Sequence, residues 1–232
     1  MLRKNNRKRW DSINEARKKG ATFSRYPTEP LVVFIAKNYY KAAKRNEIKI
    51  LEIGCGGGNN LFFLAKEGFD AYGIDHSTHA IEAARDFLGK SNYEAKLSVA
   101  CATKLPYENK FFDVVLESNA IHCNTATDIG KIFKEVHRVM KEGGQFYGIL
   151  VSDLSAEYGA GVPLDSNTFD FTSVQSCRGT YDDFPIIHFF NKDELQDLAK
   201  PFSLCELELL IATYESGTDS APFAQWWVRL RK

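Results

Sequence analysis

The fold is decided by one stretch of the sequence, which reads Ile50-Leu51-Glu52-Ile53-Gly54-Cys55-Gly56-Gly57-Gly58-Asn59-Asn60. An apolar strand runs there into closely spaced glycines, and a helical pattern follows. Glycines let the chain turn sharply and let a ligand approach the backbone, beside the free N–H groups of a helix N-terminus. The stretch therefore predicts a strand, a turn and a helix, and it indicates a nucleotide-like ligand.

Short apolar segments alternate with helical patterns on both sides of this turn, which is typical of a parallel sheet covered by helices on both faces. We predict strands over residues 48–53, 71–74, 97–100, 112–117, 145–151, 205–212 and 225–230, and helices over residues 29–43, 60–67, 78–88, 127–140 and 192–200. The predicted fold class is α/β, with a doubly wound, mostly parallel seven-stranded sheet, an N-terminal helical cap and an insertion before the sixth strand.

A chain of 232 residues is long enough for one well-packed domain and too short for a second core to be expected. We expect this domain to comprise a cap over residues 1–46, a ligand-binding core over 47–152, an insertion over 153–190 and a C-terminal helix and strands over 191–232. The insertion lacks clear periodicity, and a connection of that length is usually functional or disordered. We interpret it as a candidate lid over a substrate.

The composition excludes several classes of protein. Lys plus Arg equals Asp plus Glu, 30 against 30, so no global field attracts nucleic acid or an anionic membrane, and we expect neither as a partner. Five widely spread cysteines without a CxxC motif indicate neither a disulfide framework nor a metal site. We find no signal peptide or membrane span and expect a cytoplasmic monomer or homodimer. The basic residues 1–20 predict a solvated, partly mobile end.

The kind of nucleotide follows from the side chains around the turn. A dinucleotide fingerprint needs a third glycine for close helix packing, and Asn59 stands at that position. Glu52 precedes the turn and would repel a pyrophosphate, whereas it suits a cationic ligand. Asp75 ends the second predicted strand, where a carboxylate can accept hydrogen bonds from ribose hydroxyls. An oxidoreductase with a nicotinamide cofactor stays open as an alternative.

Over residues 48–152 these motifs resemble the class I, Rossmann-like methyltransferases that depend on S-adenosylmethionine. The resemblance extends to Ala102-Thr103-Lys104-Leu105-Pro106-Tyr107 and Phe111-Phe112-Asp113-Val114-Val115, which are similar to the family's third-strand loop and fourth strand. It implies S-adenosylmethionine as the cofactor. The residues expected to bind it are Glu52, Gly54, Gly56 and Gly58 around the methionine part, Asp75 at the ribose, His76, Ala102 and Thr103 at the adenine, and in addition Cys55 and Glu117. Many relatives carry Asp where Cys101 stands, so we expect the adenine to be recognised by backbone groups of Ala102 and Thr103.

The family reaction is an attack by a substrate atom on the methyl group of a sulfonium. It requires alignment of the attacking atom and, for a hydroxyl, removal of a proton. His122 after the fourth predicted strand and His188 at the end of the insertion are the candidate bases, because a pKa near about 6.5 suits neutral pH. The candidates for substrate binding are Arg25, Tyr26, Asn119 and Tyr181.

We expect the acceptor to be a small molecule, methylated on a hydroxyl oxygen of a sugar or another biosynthetic metabolite. Methyltransferases that act on amino groups of nucleic acids need an (Asp/Asn/Ser)-Pro-Pro-aromatic loop after the fourth strand, and Glu117-Ser118-Asn119-Ala120 stands there instead. The cytosine-carbon type needs a Pro-Cys dipeptide, which does not occur. A methyltransferase that acts on RNA or protein and a catalytically silent cofactor-binding partner remain alternatives.

Overall fold

A seven-stranded sheet organises the chain in the computed structural model, which describes residues 2–20, 23–174, 181, 184–216 and 219–232. The strands are β1 (Lys49–Ile53), β2 (Asp70–Asp75), β3 (Lys96–Val99), β4 (Phe112–Ser118), β5 (Met140–Val151), β6 (Val162–Pro163), β7 (Thr168–Asp170), β8 (Ile187–His188), β9 (Leu204–Ser216) and β10 (Asp219–Arg231). The order in the main sheet is β3-β2-β1-β4-β5-β10-β9. Strands β1 to β5 are parallel, whereas β10 is antiparallel to both of its neighbours. The predicted doubly wound, mostly parallel α/β fold is confirmed.

Helices flank this sheet. They are α1 (Leu2–Gly20), α2 (Glu29–Tyr39), α3 (Asn59–Lys66), α4 (Thr78–Lys90), α5 (Ala126–Val139) and α6 (Lys192–Ala199), with 3₁₀ helices at Arg45–Glu47 and Ile121–Cys123. All of them except α1 and the short 3₁₀ helices lie where the sequence predicts a helix. The side chains of Ser77 and Thr125 cap α4 and α5, which explains why the local sequence marks where these helices begin. Helix α2 ends at Tyr39 rather than at residue 43. Within the described ranges, no helix is long and apolar enough to cross a membrane.

Two apolar layers cover the two faces of the main sheet. Adjacent residues of a strand point to opposite faces, so Ile50 joins the layer formed with α2, α3 and α4, and Leu51 joins the layer formed with α5 and α6. Both residues are fully buried, as is usual for parallel strands covered on both sides. This burial explains the nearly continuous apolar runs in the sequence, and it leaves the carboxyl ends of the strands as the edge where a site can form.

The N-terminal segment differs from its prediction as a solvated end. Residues 2–20 form α1, which packs against α4. Asp11 accepts a hydrogen bond from Ser77 Oγ at 2.7 Å, and Asn6 donates one to the backbone oxygen of Cys123 at 3.0 Å. The helix is rich in basic residues and has few apolar ones, so the hydrophobic pattern could not predict that it packs against the domain.

The insertion contributes to a third apolar cluster, which lies beyond the carboxyl end of β5. Strands β6, β7 and β8 pair as a small antiparallel sheet, and Phe171 and Phe189 are fully buried. Trp10 of α1 packs against this cluster. Residues 175–180 and 182–183 of the insertion lie outside the described part of the chain, and the interpretation of the insertion as a lid stays a prediction.

Candidate functional site

A cavity of about 610 Å³ lies at the carboxyl ends of β1, β2 and β4. The strand order reverses between β1 and β4, and open α/β sheets bind their ligands at such a point. Ile53, Asp75 and Ser118, the last residues of these three strands, all line the cavity. Residues of α1, of the loop 23–28 and of the insertion line its other sides.

The glycine turn forms the wall beside β1. Gly54 has φ +69°, and a Cβ at this position would lie 2.2 Å from Cβ of Ala120, closer than any real contact. Gly56 has φ +49°, and a Cβ there would meet nothing within 4 Å, so its backbone faces open space. Position 54 therefore requires glycine, because any side chain there would collide with the loop after β4. At Gly56 the backbone is exposed to the cavity, where a ligand can approach it.

Glu52 brings a buried carboxylate to the cavity wall. Its side chain is only 2% exposed, and Oε1 accepts a hydrogen bond from Asn60 Nδ2 at 2.7 Å. Oε2 has no hydrogen-bond partner among the residues that the structure describes. Burial raises the pKa of this carboxyl to about 8 against the effect of the Asn60 hydrogen bond, and the charges of Asp75 and Glu117 raise it further. A cation in the cavity would favour the ionised form and occupy the unused acceptor.

The raised pKa of Glu52 predicts how stability depends on pH. Between pH 4.5 and about 8 the unfolded chain ionises this carboxyl while the folded chain keeps it protonated, so the stability that the group contributes at low pH is lost as pH rises. We expect the free energy of unfolding to fall by up to about 1.4 kcal/mol per pH unit in this window through Glu52. Urea denaturation at several pH values from 5 to 8 measures this slope.

Glu52→Gln is the matched variant for this prediction, because an amide keeps the acceptor for Asn60 and does not titrate. Its stability should fall less steeply with pH than that of the wild type, while the other titrating groups, including Glu117, contribute equally to both. Parallel slopes for the two proteins would show that Glu52 is ionised in the fold and would contradict the prediction.

Asp75 holds a second carboxylate at the end of β2. Oδ2 accepts a hydrogen bond from the backbone N–H of Gly56 at 3.1 Å, and Oδ1 accepts one from that of Ser77 at 2.9 Å. Each oxygen keeps a free lone pair, so the group can also accept from hydroxyls of a ligand. His76 lies beside it on the cavity wall, and its buried Nε2 has no partner within the described ranges. Burial lowers the pKa of His76.

His122 lies in the 3₁₀ helix that follows β4 and is 2% exposed. Its Nδ1 atom forms no hydrogen bond with any described residue, and its ring centroid lies 6.3 Å from that of Tyr181. Burial and the charge of His188 lower the pKa of His122 to about 3. The imidazole is therefore neutral at physiological pH, with a nitrogen left for a ligand.

Most of the residues predicted for the site meet at this cavity. Those that line it are Glu52, Gly54, Cys55, Gly56, Asp75, His76, Ala102, Thr103, Asn119, His122 and Tyr181. The structure does not bring Gly58, Glu117, Arg25, Tyr26 or His188 to the lining. Gly58 is instead the N-cap residue that precedes α3, with φ +82°, and it lies against Ala84.

Glu117 is fully buried and bound by the backbone around it. Oε2 accepts hydrogen bonds from the N–H groups of Ala120 and Ile121 at 3.0 and 2.9 Å, and Oε1 accepts one from Ile149 at 2.8 Å. Burial raises its pKa to about 7 against these hydrogen bonds. Glu117 thus shapes the loop that carries His122 and ties it to β5.

Arg25 and Tyr26 point away from the cavity. The guanidinium carbon of Arg25 lies 4.6 Å from the centroid of the Phe87 ring. Tyr26 is 82% exposed, and its backbone oxygen accepts a hydrogen bond from Asn59 Nδ2 at 2.7 Å. The loop 23–28 reaches the cavity through Phe23, Ser24 and Thr28 instead.

His188 is 1% exposed and has partners at both ring nitrogens. Nδ1 lies 2.7 Å from Thr168 Oγ1, and Nε2 lies 2.9 Å from Glu194 Oε1. This network joins β7 and β8 of the insertion to the first turn of α6. The contacts describe a structural histidine.

Sequence reasoning missed the contribution of α1 to the cavity. Trp10, Asn14 and Arg17 line it from this helix, and Phe223 and Gln225 line it from β10. The periodicity of residues 1–20 contained no signal for this placement. The spacing of Trp10, Asn14 and Arg17 at four and three residues would have put them on one helix face, had a helix been predicted there.

Comparison with known proteins adds to this geometry. The profile of the family described as methyltransferase domain matches residues 50–144. An uncharacterised methyltransferase of Synechocystis sp. is 36% identical over 98 residues, which cover 42% of this chain and 44% of the relative. A ubiquinone biosynthesis O-methyltransferase of Pelagibacter ubique is 35% identical over 98 residues, which cover 42% of this chain and 39% of the relative. This chain thus spans less than half the length of these two relatives.

The similarity to one solved structure covers a larger part of this chain than the two sequence matches do. A SAM-dependent methyltransferase of Methanosarcina mazei superposes with a TM-score of 0.63 at 22% identity, over 79% of this chain and 92% of that one. At this identity the likeness shows that the fold is shared, including the sheet whose carboxyl edge forms the cavity.

Proposed function

We propose that this protein is a class I methyltransferase that depends on S-adenosylmethionine, and that it transfers the methyl group to a hydroxyl oxygen of a small molecule. The match of residues 50–144 to the methyltransferase domain supports the proposal. One observation carries the proposal. Glu52 lines the cavity beside the glycine turn with a buried carboxyl oxygen that has no hydrogen-bond partner in the described part of the chain, and a bound cation would favour the ionised form of this group. Such an acceptor suits a cationic ligand.

The residues of the cavity fit this cofactor. Glu52 and the bare backbone at Gly56 would hold its methionine part, and Asp75 would accept from its ribose hydroxyls. The backbone groups of Ala102 and Thr103 would meet its adenine. S-adenosylmethionine, when bound, supplies a methyl group on a positively charged sulfur, from which an attacking oxygen can take it.

His122 is the residue that we propose to accept the proton of the acceptor hydroxyl, at a ring nitrogen that forms no hydrogen bond with a described residue. The neutral imidazole is the form that can accept a proton. Because its pKa is lowered to about 3, it is a weak base, and an acidic hydroxyl is the better match. A phenol, with a pKa of about 10 as in tyrosine, fits better than a sugar hydroxyl, which is far less acidic.

The similarity to a ubiquinone biosynthesis O-methyltransferase supports a small acceptor that is methylated on oxygen. The equal numbers of basic and acidic residues, 30 of each, favour a small acceptor over nucleic acid.

Calorimetry with adenosylhomocysteine, S-adenosylmethionine and NAD tests the cofactor assignment. We expect both sulfur nucleosides to bind and NAD to give no heat. The wild type is then incubated with isotopically labelled S-adenosylmethionine and a metabolite extract, and the label should move to a small molecule as a methyl ether.

Tight binding of NAD without binding of adenosylhomocysteine would overturn the proposal in favour of an oxidoreductase. Binding of adenosylhomocysteine without transfer of label to any small molecule would point to a catalytically silent protein or to a macromolecular acceptor. Label recovered on a nitrogen or carbon atom would contradict the hydroxyl acceptor alone.

A further inference from the structure

Arg17 is a half-buried cation on the cavity wall. It is the only Lys or Arg among the described residues that line the cavity. Its guanidinium carbon lies 5.8 Å from the centroid of the Trp10 ring, and it forms no hydrogen bond or ion pair with any residue that the structure describes. Its neighbours on α1 differ, since Lys18 pairs with Glu82 and Lys19 pairs with Glu15.

Removing a cation from water is costly, and burial lowers the pKa of the Arg17 guanidinium even though the charge of Asp75 acts to raise it. The group nevertheless stays charged at any physiological pH. Its planar fork of donors matches a carboxylate or a phosphate, to which it can donate two hydrogen bonds. An anionic group that enters the cavity would therefore offset the cost of burying Arg17.

The wall next to Arg17 is aromatic and leads toward His122. The ring of Trp10 lies 4.8 Å from that of Phe184, which lies 5.8 Å from that of Tyr181. Tyr181 in turn is the ring beside His122, at 6.3 Å. Rings in such a row present flat apolar faces and edges, which suit a planar aromatic ligand.

We propose, building on the methyl transfer proposed above, that the acceptor is an aromatic molecule with an anionic substituent bound by Arg17 and a hydroxyl placed at His122. The aromatic row connects the two residues, so an aromatic ligand that packs along it would direct its anionic substituent toward Arg17 and its hydroxyl toward His122. Arg17 lines the cavity from α1, which is bound to the loop after β4 through the hydrogen bond from Asn6 to Cys123, and both Cys123 and Asp75 are close enough to affect the Arg17 pKa. The methionine part of the cofactor is assigned to the glycine turn.

Calorimetry in the presence of saturating adenosylhomocysteine tests the proposal, with 4-hydroxybenzoate and 4-hydroxyphenyl phosphate as anionic probes and 4-hydroxybenzyl alcohol as their neutral counterpart. We expect the wild type to bind at least one anionic probe about tenfold or more tightly than the neutral one, the effect of a charge-assisted bidentate contact. The stronger of the two anionic probes identifies the substituent as carboxylate or phosphate.

Arg17→Gln should abolish this difference between the probes, and Arg17→Lys should keep part of it, since it retains the charge without the fork. Lys19→Gln is the matched control, because it removes one charge from the exposed face of the same helix and should leave the difference intact. Thermal melts of the three variants show whether each one folds.

Three outcomes would overturn the inference: equal binding of the neutral and anionic probes, no binding of any probe, or a loss of adenosylhomocysteine affinity in Arg17→Gln with probe binding unchanged. The last result would assign Arg17 to the carboxylate of the cofactor. Failure of the proposed function is a different result, because the wild type would then not bind adenosylhomocysteine at all.

Discussion

Gly54→Ala should lower the free energy of unfolding by about 3 kcal/mol or more and abolish binding of adenosylhomocysteine. The loss has two sources. The backbone of Gly54 has φ +69°, where an L-residue costs about 1–2 kcal/mol, and the added Cβ would lie 2.2 Å from Cβ of Ala120, an overpacking that costs a further 1–3 kcal/mol or so. Relief of this overlap must move either the glycine turn or the loop after β4, and both line the cavity. Urea denaturation and calorimetry measure the two effects.

Gly68→Ala is the matched control for backbone strain alone. Gly68 has φ +85°, and a Cβ there would meet nothing within 4 Å. This variant should therefore lose only about 1–2 kcal/mol of stability and bind adenosylhomocysteine as the wild type does. Equal loss of unfolding free energy in the two variants would show that the overlap with Ala120 does not contribute to the destabilisation of Gly54→Ala.

His122→Ala should lower kcat by about 100-fold or more, the usual effect of removing a general base, while the affinity for adenosylhomocysteine changes little. The physical reason is that His122 lines the cavity with a neutral imidazole whose Nδ1 has no hydrogen-bond partner among the described residues. Steady-state assays with the acceptor identified by labelling measure kcat, and calorimetry measures cofactor affinity.

Two further variants separate proton transfer from positioning. His122→Asn keeps a hydrogen-bonding side chain that cannot take a proton, so it should be as slow as His122→Ala; recovery of turnover in His122→Asn would assign a positioning role. His137→Ala removes a histidine that packs against Phe202 away from the cavity, and its kcat should match that of the wild type. Unchanged turnover in His122→Ala would remove this residue from the catalytic role.

Local patterns were enough to predict the sheet and the glycine turn. Parallel strands that are buried on both faces, such as β1 and β4, need apolar residues at nearly every position. The resulting continuous apolar runs can be recognised as strands from the sequence alone. The left-handed backbone at Gly54 and the position of Asp75 at the end of β2 follow from the strand and turn themselves. Their meeting at one cavity follows from the strand order that such folds adopt.

The placement of α1 could not be predicted in the same way. A helix that packs through hydrogen bonds such as the one that Ser77 donates to Asp11, and not through an apolar stripe, leaves no periodic signal. For the same reason the sequence favoured Arg25 as the arginine of the site, whereas the structure sets Arg25 over Phe87 and puts Arg17 on the cavity wall. Both arginines lie in polar stretches of the sequence, so local sequence cannot tell which of them reaches the cavity. The way in which α1 packs against the domain decides this.

The two candidate histidines show where local information ends. The local sequence predicted that His122 follows the fourth strand and that His188 ends the insertion, since these positions depend on neighbours along the chain. Whether an imidazole has a free nitrogen depends on residues that are distant in sequence, and the tertiary fold decided this. Packing brings Thr168 and Glu194 within hydrogen-bond distance of His188. It leaves Nδ1 of His122 without a donor or acceptor among the described residues. Hydrogen bonds act over about 3 Å in space, whatever the separation of the residues in sequence.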